Sequence, residues 1–361
     1  MSPIFGRSYA KDTQTNAGKL LKTGTKVGEE SAFLYIGDGN KMQGIAEVDC
    51  SVIVITYNSS EVIERCIRSV FEKNKKCSFE VIVIDNNSKD GTAERVRNVF
   101  PQFNVRVIKN NINIGFARAV NQGARLARGK YILLLNPDAF LVSEEPIEQM
   151  MSFLENNPNV AAVGGWSEEW RNRDDIFSPF IPQRITILWL FVFEIFTKYI
   201  AILFFNNFKR SSPASFQLND KPAYAFYIGG SCLLTRKDVL TSFPFDERFF
   251  LYYEDNDWGE KMRRNGRRLC YLPNVRYVHL RGHSLSSLAQ KERETITRIA
   301  FYHWLKKRNP VLGIVYRFHQ LLIRIPLYSV IGFVYLLCGR KSRGFSFLDE
   351  AKNLFLLRYL F

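Results

Sequence analysis

The chain predicts an α/β fold built on a mainly parallel central sheet, on three observations. Continuous β-branched and aliphatic runs recur at 51–56, 81–84, 105–108 and 131–135, the pattern of strands buried on both faces. Between the first two, Val62, Ile63, Cys66, Ile67, Val70 and Phe71 fall at helical spacing. The connections are short, and strands alternating with helices through short loops give parallel pairing with right-handed crossovers.

The elements follow in order. Residues 1–48 are polar and rich in Gly, Lys and Thr, and read as a partly disordered extension. The first strand ends at Thr56-Tyr57-Asn58 and the second at Asp85-Asn86-Asn87-Ser88. A helix through Arg95 and Val99 leads to the third strand, closed by the polar residues 110–113. Residues 115–128 read as a helix, and the fourth strand ends at Asn136-Pro137-Asp138. Ligands of such sheets bind at the carboxyl ends of the strands. Turn chemistry explains one polar strand end, but four at the same edge point to a site. No GxGxxG or GxxxxGK[ST] follows any strand, which argues against a dinucleotide or P-loop enzyme. Carboxylates, amides and a metal remain as the means of holding a nucleotide.

Further on come a helix over 143–156, a strand over 160–164 and a mixed-charge loop over 166–183. Residues 185–208 are strongly apolar but interrupted by Glu194 and Lys198, which favours an interfacial or partner-packing helix over a membrane span. Residues 311–361 interleave apolar and aromatic residues with Arg317, Arg324, Arg340, Lys341, Arg343 and Arg358. The longest uncharged run there, 325–338, is too short to cross a bilayer. Two readings stay open for this region: contact with an anionic membrane, and a helical bundle on the main domain.

Chemistry-bearing residues gather between those apolar segments. Gly229-Gly230 opens a strand and lets backbone approach a ligand closely. In the run from Phe249 to Gly259, Glu254, Asp255 and Asp257 follow aromatic residues and start a helix. Acids there complement the macrodipole, or one of them serves as a base with a raised pKa. His279 ends a short strand and becomes a candidate ligand for Mg²⁺ or Mn²⁺ if Asp138 folds beside it.

Totals narrow the partners. The 361 residues suffice for one large or two modest domains, and a hydrophobic fraction of 46% supplies a core. A net charge of +15 and a pI near 9.5 point to a polyanionic partner. Nucleic acid is set aside because no nucleic-acid-binding signature occurs. The six cysteines are scattered, as expected of reduced thiols in the cytosol, and no signal-peptide pattern begins the chain.

Taken together in order, Val54 to Asn58, Val83 to Thr92, Asn113 to Gly123, Leu135 to Asp138, Gly229-Gly230, Phe245 to Phe250, Glu254 to Asp257 and His279 resemble the family 2 inverting glycosyltransferases. Among these, the rhamnosyltransferase-like branch is the nearest resemblance. It covers about 51–284, excluding 185–208, and rests on the order and spacing of motifs rather than on one of them. The resemblance implies a GT-A fold. Residues 49–290 would form the transferase domain, with a nucleotide-binding part over 49–140 and an acceptor-binding part over 141–290. Residues 291–361 would be a helical, membrane-associating region.

By the same resemblance, Thr56, Tyr57, Asn58, Asp85 and Asn86 would hold the nucleoside, with Asp85 on the base. Asn113, Gly115 and Arg118 would lie along the donor near its ribose and diphosphate, with Asn136 beside them. Asp138 and His279 would bind the metal; where the family carries DxD, this chain reads Asn136-Pro137-Asp138, so only the second acid is present. Asp255 would be the general base, its pKa raised by the charges of Glu254 and Asp257. Glu254, Tyr253, Gly229 and Gly230 would face the acceptor. The implied partners are a nucleotide sugar (dTDP-rhamnose first, then a UDP- or GDP-sugar) and a glycan on a polyprenyl-diphosphate carrier. Residence at the cytoplasmic face of the cell membrane would follow. Two alternatives stand beside this. One is a polysaccharide synthase or dolichyl-phosphate sugar transferase, although the synthase motif QxxRW is absent. The other is a catalytically silent nucleotide-sugar-binding scaffold.

Overall fold

A computed structural model describes residues 48–168, 221–280 and 290–357. The N-terminal extension, the apolar insertion 185–208 and the 281–283 stretch after His279 lie outside the described residues.

The first half is built as its hydrophobic pattern demands. Strands β1 (Cys50–Thr56), β2 (Phe79–Asp85), β3 (Val105–Lys109) and β4 (Tyr131–Leu135) pair in parallel, in the order β3-β2-β1-β4. Helices α1 (Ile63–Lys73), α2 (Thr92–Val99) and α3 (Phe116–Leu126) make the crossovers. Alternate residues of β1 serve two cores. Val52 and Val54 pack with Ile63, Cys66 and Ile67 of α1, while Ile53 and Ile55 pack with Ala117, Val120 and Ala124 of α3. A strand with two buried faces has no polar face to show, hence its unbroken apolar run.

The second half departs from the parallel pattern. It contains β5 (Ala139–Leu141), α4 (Pro146–Asn156), β6 (Val160–Ser167), β7 (Ala223–Ala225), β8 (Cys232–Arg236), α5 (Lys237–Ser242), α6 (Glu254–Arg264) and β9 (Arg268–His279). β8 inserts antiparallel between β4 and β6, and β9 runs parallel to β6 but antiparallel to β5 and β7. The reversal has a consequence for the site. Cys232 at the start of β8 lies opposite Leu135 at the end of β4, so Gly229 and Gly230 arrive at the carboxyl edge of the sheet. The glycine pair therefore precedes the strand instead of opening it. β9, expected to be short, is 12 residues long and passes Pro273 where its register with β6 shifts between Gly165 and Trp166.

Helices α7 (Gln290–Arg308), α8 (Pro310–Phe318), α9 (Ile325–Leu337) and α10 (Lys341–Leu357) complete the described chain, with a π-helical turn (His319–Arg324) between α8 and α9. Ala300 and Trp304 of α7 pack on Phe249, Tyr252 and Tyr253 beside the start of α6. One expectation is corrected here. Helical structure continues through Arg317 and Arg324, so Tyr316–Leu337 is a 22-residue stretch long and apolar enough, by length and composition, to cross a membrane. The charges of Arg317 and Arg324 interrupt the uncharged run but not the helical backbone.

Candidate active site

The site begins where β1 and β2 end side by side, with Thr56 in register with Asp85. Asp85 is fully buried, and its Oδ1 accepts from the backbone amide and hydroxyl of Ser88. Burial pushes its carboxyl above the usual range, against the lowering effect of those Ser88 bonds. Asp85 Oδ2 and Thr56 Oγ1 are buried with no hydrogen-bond partner in the structure. Two unsatisfied oxygens on adjacent strand ends have room for a hydrogen-bond partner from outside the chain, whether water, ion or ligand. Tyr57 is half-buried beside them.

The asparagines proposed for the donor are occupied by the frame. Asn58, in the left-handed region at φ 50°, donates its amide to Ser88 Oγ at 2.8 Å and accepts from Lys89 N at 2.8 Å. Asn86 donates to the Gly115 carbonyl at 3.2 Å and accepts from Asn110 at 3.0 Å. Asn113 accepts from Gly115 N at 3.0 Å, closing the turn into α3. These side chains lock loops together, which short polar side chains do readily. Arg118 Nε lies 3.6 Å from Glu247 Oε2, both side chains being partly exposed. Asn121 bonds both Glu247 and the backbone of Phe245, and so holds that acid opposite Arg118.

Gly115 is required for another reason. Its φ is 84°, and a Cβ there would lie 2.6 Å from the carbonyl oxygen of Phe250. The next residue, Phe116, donates its amide to that same oxygen at 2.6 Å. The N-terminus of α3 is thus capped by the segment that leads into α6, which draws the acidic run to the edge formed by β1 and β2.

On the other side of β1, Asp138 and His279 come together, as Ala139 and His279 face each other between β5 and β9. His279 Nε2 lies 3.2 Å from Asp138 Oδ1 and 3.4 Å from Asn136 Nδ2. Two adjacent ligands about 2.1 Å from an octahedral ion sit about 3 Å apart, so the carboxylate and imidazole fit one Mg²⁺ or Mn²⁺. No group of three or more His, Cys, Asp or Glu side chains suited to a metal occurs among the described residues. The remaining positions would fall to phosphate oxygens and water, as usual for such ions.

Asp255 lies at the start of α6, half-buried, with its Oδ1 accepting from Asn256 N at 2.7 Å and the Gly230 amide also donating to its carboxylate. A Cβ on Gly230 would be 2.8 Å from the Phe116 ring, so this glycine lets the loop close onto α3, whereas one on Gly229 would make ordinary contact with Asp255 Oδ2 at 3.9 Å. Burial pushes the Asp255 carboxyl up to about 6, although the backbone amides work to lower it. Glu254 is buried, its Oε2 has no hydrogen-bond partner, and burial followed by the charge of Asp255 pushes it well above the usual range. The source of the raised pKa therefore differs from the expected one. Burial dominates for Asp255, and Asp257 is neutralised by Lys307 Nζ at 2.7 Å.

Tyr252 and Tyr253 are both left-handed, at φ 71° and 65°. Consecutive bulky residues in that region cost about 1–3 kcal/mol each and cluster at functional sites. The Tyr253 ring packs against Phe301 and Trp304 of α7, with centroids 5.6 and 5.7 Å away. The residue expected to face the acceptor thus has its ring packed on α7. Sequence reasoning missed Lys307, which lies 50 residues beyond Asp257 in a basic run like many others.

Comparison with known proteins bears on family and fold. Residues 51–211 match the family described as Glycosyl transferase family 2. Over 271 residues the chain is 25% identical to an N-acetylglucosaminyl-diphospho-decaprenol L-rhamnosyltransferase of Mycobacterium tuberculosis, covering 70% of this chain and 84% of that protein. It is 32% identical over 144 residues to a dolichyl-phosphate beta-glucosyltransferase of Dictyostelium discoideum, covering 37% of this chain and 43% of that one. A mannosyltransferase from Pyrobaculum calidifontis, solved in complex with GDP-Man and Mn²⁺, has a similar fold, with a TM-score of 0.50 at 16% identity and 87% of each chain covered.

Proposed function

The chain carries a family 2 glycosyltransferase domain and is a glycosyltransferase; from that premise we propose that it moves a sugar, with inversion, from a nucleoside diphosphate to a hydroxyl of a lipid-linked glycan. The observation that carries the reading is the placement of Asp255. Its carboxylate is fixed by the amide of Gly230, and the next residue, Ser231, accepts from Asn136 N at 3.1 Å, two residues before Asp138. This backbone link between the 229–231 loop and the 136–138 turn supports reading Asp255 as the base and Asp138 with His279 as the diphosphate side of one site.

Asp255 takes the proton of the acceptor hydroxyl as that oxygen attacks the anomeric carbon from the face opposite the nucleotide. Asp85 and Thr56 offer their unsatisfied oxygens to the nucleoside. Glu254, its carboxyl pushed well above the ordinary range by burial and then by the charge of Asp255, is the less readily ionised of the two acids and leaves the base role to its neighbour. Asp138 and His279 would hold a divalent ion, Mg²⁺ or Mn²⁺, which supplies Lewis-acid neutralisation of the departing diphosphate. The transition state is oxocarbenium-like and needs no covalent intermediate.

dTDP-rhamnose is the first donor to try, because the longest-matching relative named above is a rhamnosyltransferase acting on a decaprenyl-diphosphate sugar; UDP- and GDP-sugars follow. A polyprenyl phosphate acceptor is the second reading, favoured by the Dictyostelium relative. We assign catalysis to residues 49–290, with 291–361 a C-terminal helical region whose first helix packs beside the start of α6. The test is to incubate the purified protein with each donor and each lipid acceptor, with and without EDTA. Release of nucleoside diphosphate only in the presence of acceptor supports transfer, and binding without turnover on any pair would favour a silent scaffold.

A further inference from the structure

The C-terminal helices expose what a folded protein ordinarily hides. In α9, Val330, Phe333, Val334 and Leu337 recur at i, i+3, i+4 and i+7, and all are exposed, Phe333 by 60% and Leu337 by 72%. In α8, Ile314 and Phe318 are likewise exposed one turn apart. The opposite side of α9 is filled. A Cβ on Gly332 would meet Leu348 and the Gly344 carbonyl of α10 at 2.8 and 3.0 Å, and Tyr335 stacks on Phe347 at 5.5 Å. α9 and α10 are thus a close-packed hairpin with an apolar row facing outward. Isolated apolar residues on a surface mean little, but a continuous row along one helix face is an interaction site.

Charge identifies the occupant. Residues 310–357 contain six basic and two acidic residues, and the turn from α9 into α10 carries Arg340, Lys341 and Arg343, all exposed. Apolar and aromatic side chains on one face, with cations at the flank, suit an anionic phospholipid surface. We propose that α8, α9 and α10 lie in the plane of an anionic membrane, with the Val330–Leu337 row in the acyl boundary and Arg340, Lys341 and Arg343 among the headgroups. Length alone would let Tyr316–Leu337 span the bilayer. Spanning would carry α10 with it, since the two helices are packed along their length, and α10 exposes Lys341, Arg343, Asp349 and Lys352. Exposed charges of both signs on the partner helix favour the in-plane arrangement. This inference stands on the C-terminal surface alone and does not rest on the transfer reaction.

The test uses the full chain added to preformed vesicles of phosphatidylcholine with 30% phosphatidylglycerol, with phosphatidylcholine alone as control. Flotation is expected with the anionic vesicles at low salt and to weaken at least tenfold in Phe333→Glu. Arg340→Gln/Lys341→Gln, which leaves the apolar row intact, is expected to weaken it several-fold and to flatten the salt dependence. Cys338 is exposed at the end of α9, so a membrane-impermeant maleimide outside the vesicles is expected to label it at the same rate with and without lipid. Protein left unbound at low salt, binding indifferent to Phe333→Glu, or a Cys338 protected by the bilayer would each overturn the proposal. Absence of binding would be the result if other segments of this chain cover the row.

Discussion

Phe116 and Phe250, 134 positions apart, are joined by a 2.6 Å hydrogen bond from the amide of the first to the carbonyl of the second. This bond closes the N-terminus of α3 with the loop that presents Asp255, and it needs the bare backbone of Gly115 beside it. The proposed donor side and the proposed base side therefore meet at one helix end.

The nucleoside reading of Asp85 predicts a binding defect in Asp85→Asn. The amide keeps the size of the side chain but replaces the acceptor Oδ2, orphaned in the structure, with a donor or misplaces the bond to Ser88. Leaving a buried partner unpaired costs about 1–3 kcal/mol, so donor KM is expected to rise roughly ten- to a hundredfold. kcat should change far less. Steady-state kinetics with varied donor checks this.

The metal reading predicts that Asp138→Asn and His279→Ala each weaken the response to divalent ion. In the unchanged protein, EDTA is expected to suppress transfer and Mg²⁺ or Mn²⁺ to restore it. In either variant the ion concentration giving half-maximal rate should rise at least tenfold, as removing one of two protein ligands implies. Titration of the rate with each ion measures it.

Acidity should act on the rate through Asp255. With its carboxyl pushed up to about 6 by burial, kcat is expected to fall as pH drops through 6 and the base gains a proton. Stability runs the other way. A carboxyl whose folded pKa lies above its unfolded value of about 3.9 binds its proton more tightly when folded. Its contribution to stability is then greatest below pH 4 and is lost as pH rises through about 6. Asp255→Asn, uncharged throughout, is accordingly expected to melt at or above the temperature of the unchanged protein at pH 8, by calorimetry.

Much of this was legible in the residues, and the limits have physical causes. β1 to β4 were readable because strands buried on both faces leave unbroken apolar runs. β8 was not assigned its antiparallel direction, since direction depends on which neighbour a strand finds, and periodicity is the same both ways. Asp138 beside His279 required β5 and β9 to pair across 140 positions, which only the conditional form of the expectation captured. Asn58, Asn86 and Asn113 were readable as polar strand ends. Whether such an amide meets a ligand or a neighbouring loop is decided by tertiary geometry.

Lys307 yields a prediction that no local pattern suggested. Its Nζ lies 2.9 Å from Asp246 and 2.7 Å from Asp257, which flank the segment of loop and first helical turn that carries Tyr252, Tyr253 and Asp255. Burial would lower the Lys307 pKa, but its bonds to the two acids prevail and hold it above the ordinary value. Lys307→Met leaves Asp246 to Arg248 alone and removes the cation bonded to the largely buried Asp257. The cost is about 2 kcal/mol, less than for a fully buried pair because Lys307 keeps 32% of its side-chain surface. The expected result is a lower melting temperature and a kcat reduced several-fold with donor KM unchanged. Lys307→Arg should recover most of the rate.

The account turns on Asp255 as the base, and the decisive measurement is transfer by Asp255→Asn at saturating donor and acceptor. General-base removal predicts a fall in kcat of about 100- to 10,000-fold. Donor affinity, read by titration with the nucleoside diphosphate, should stay unchanged. Near-unchanged transfer in this variant would contradict the assignment.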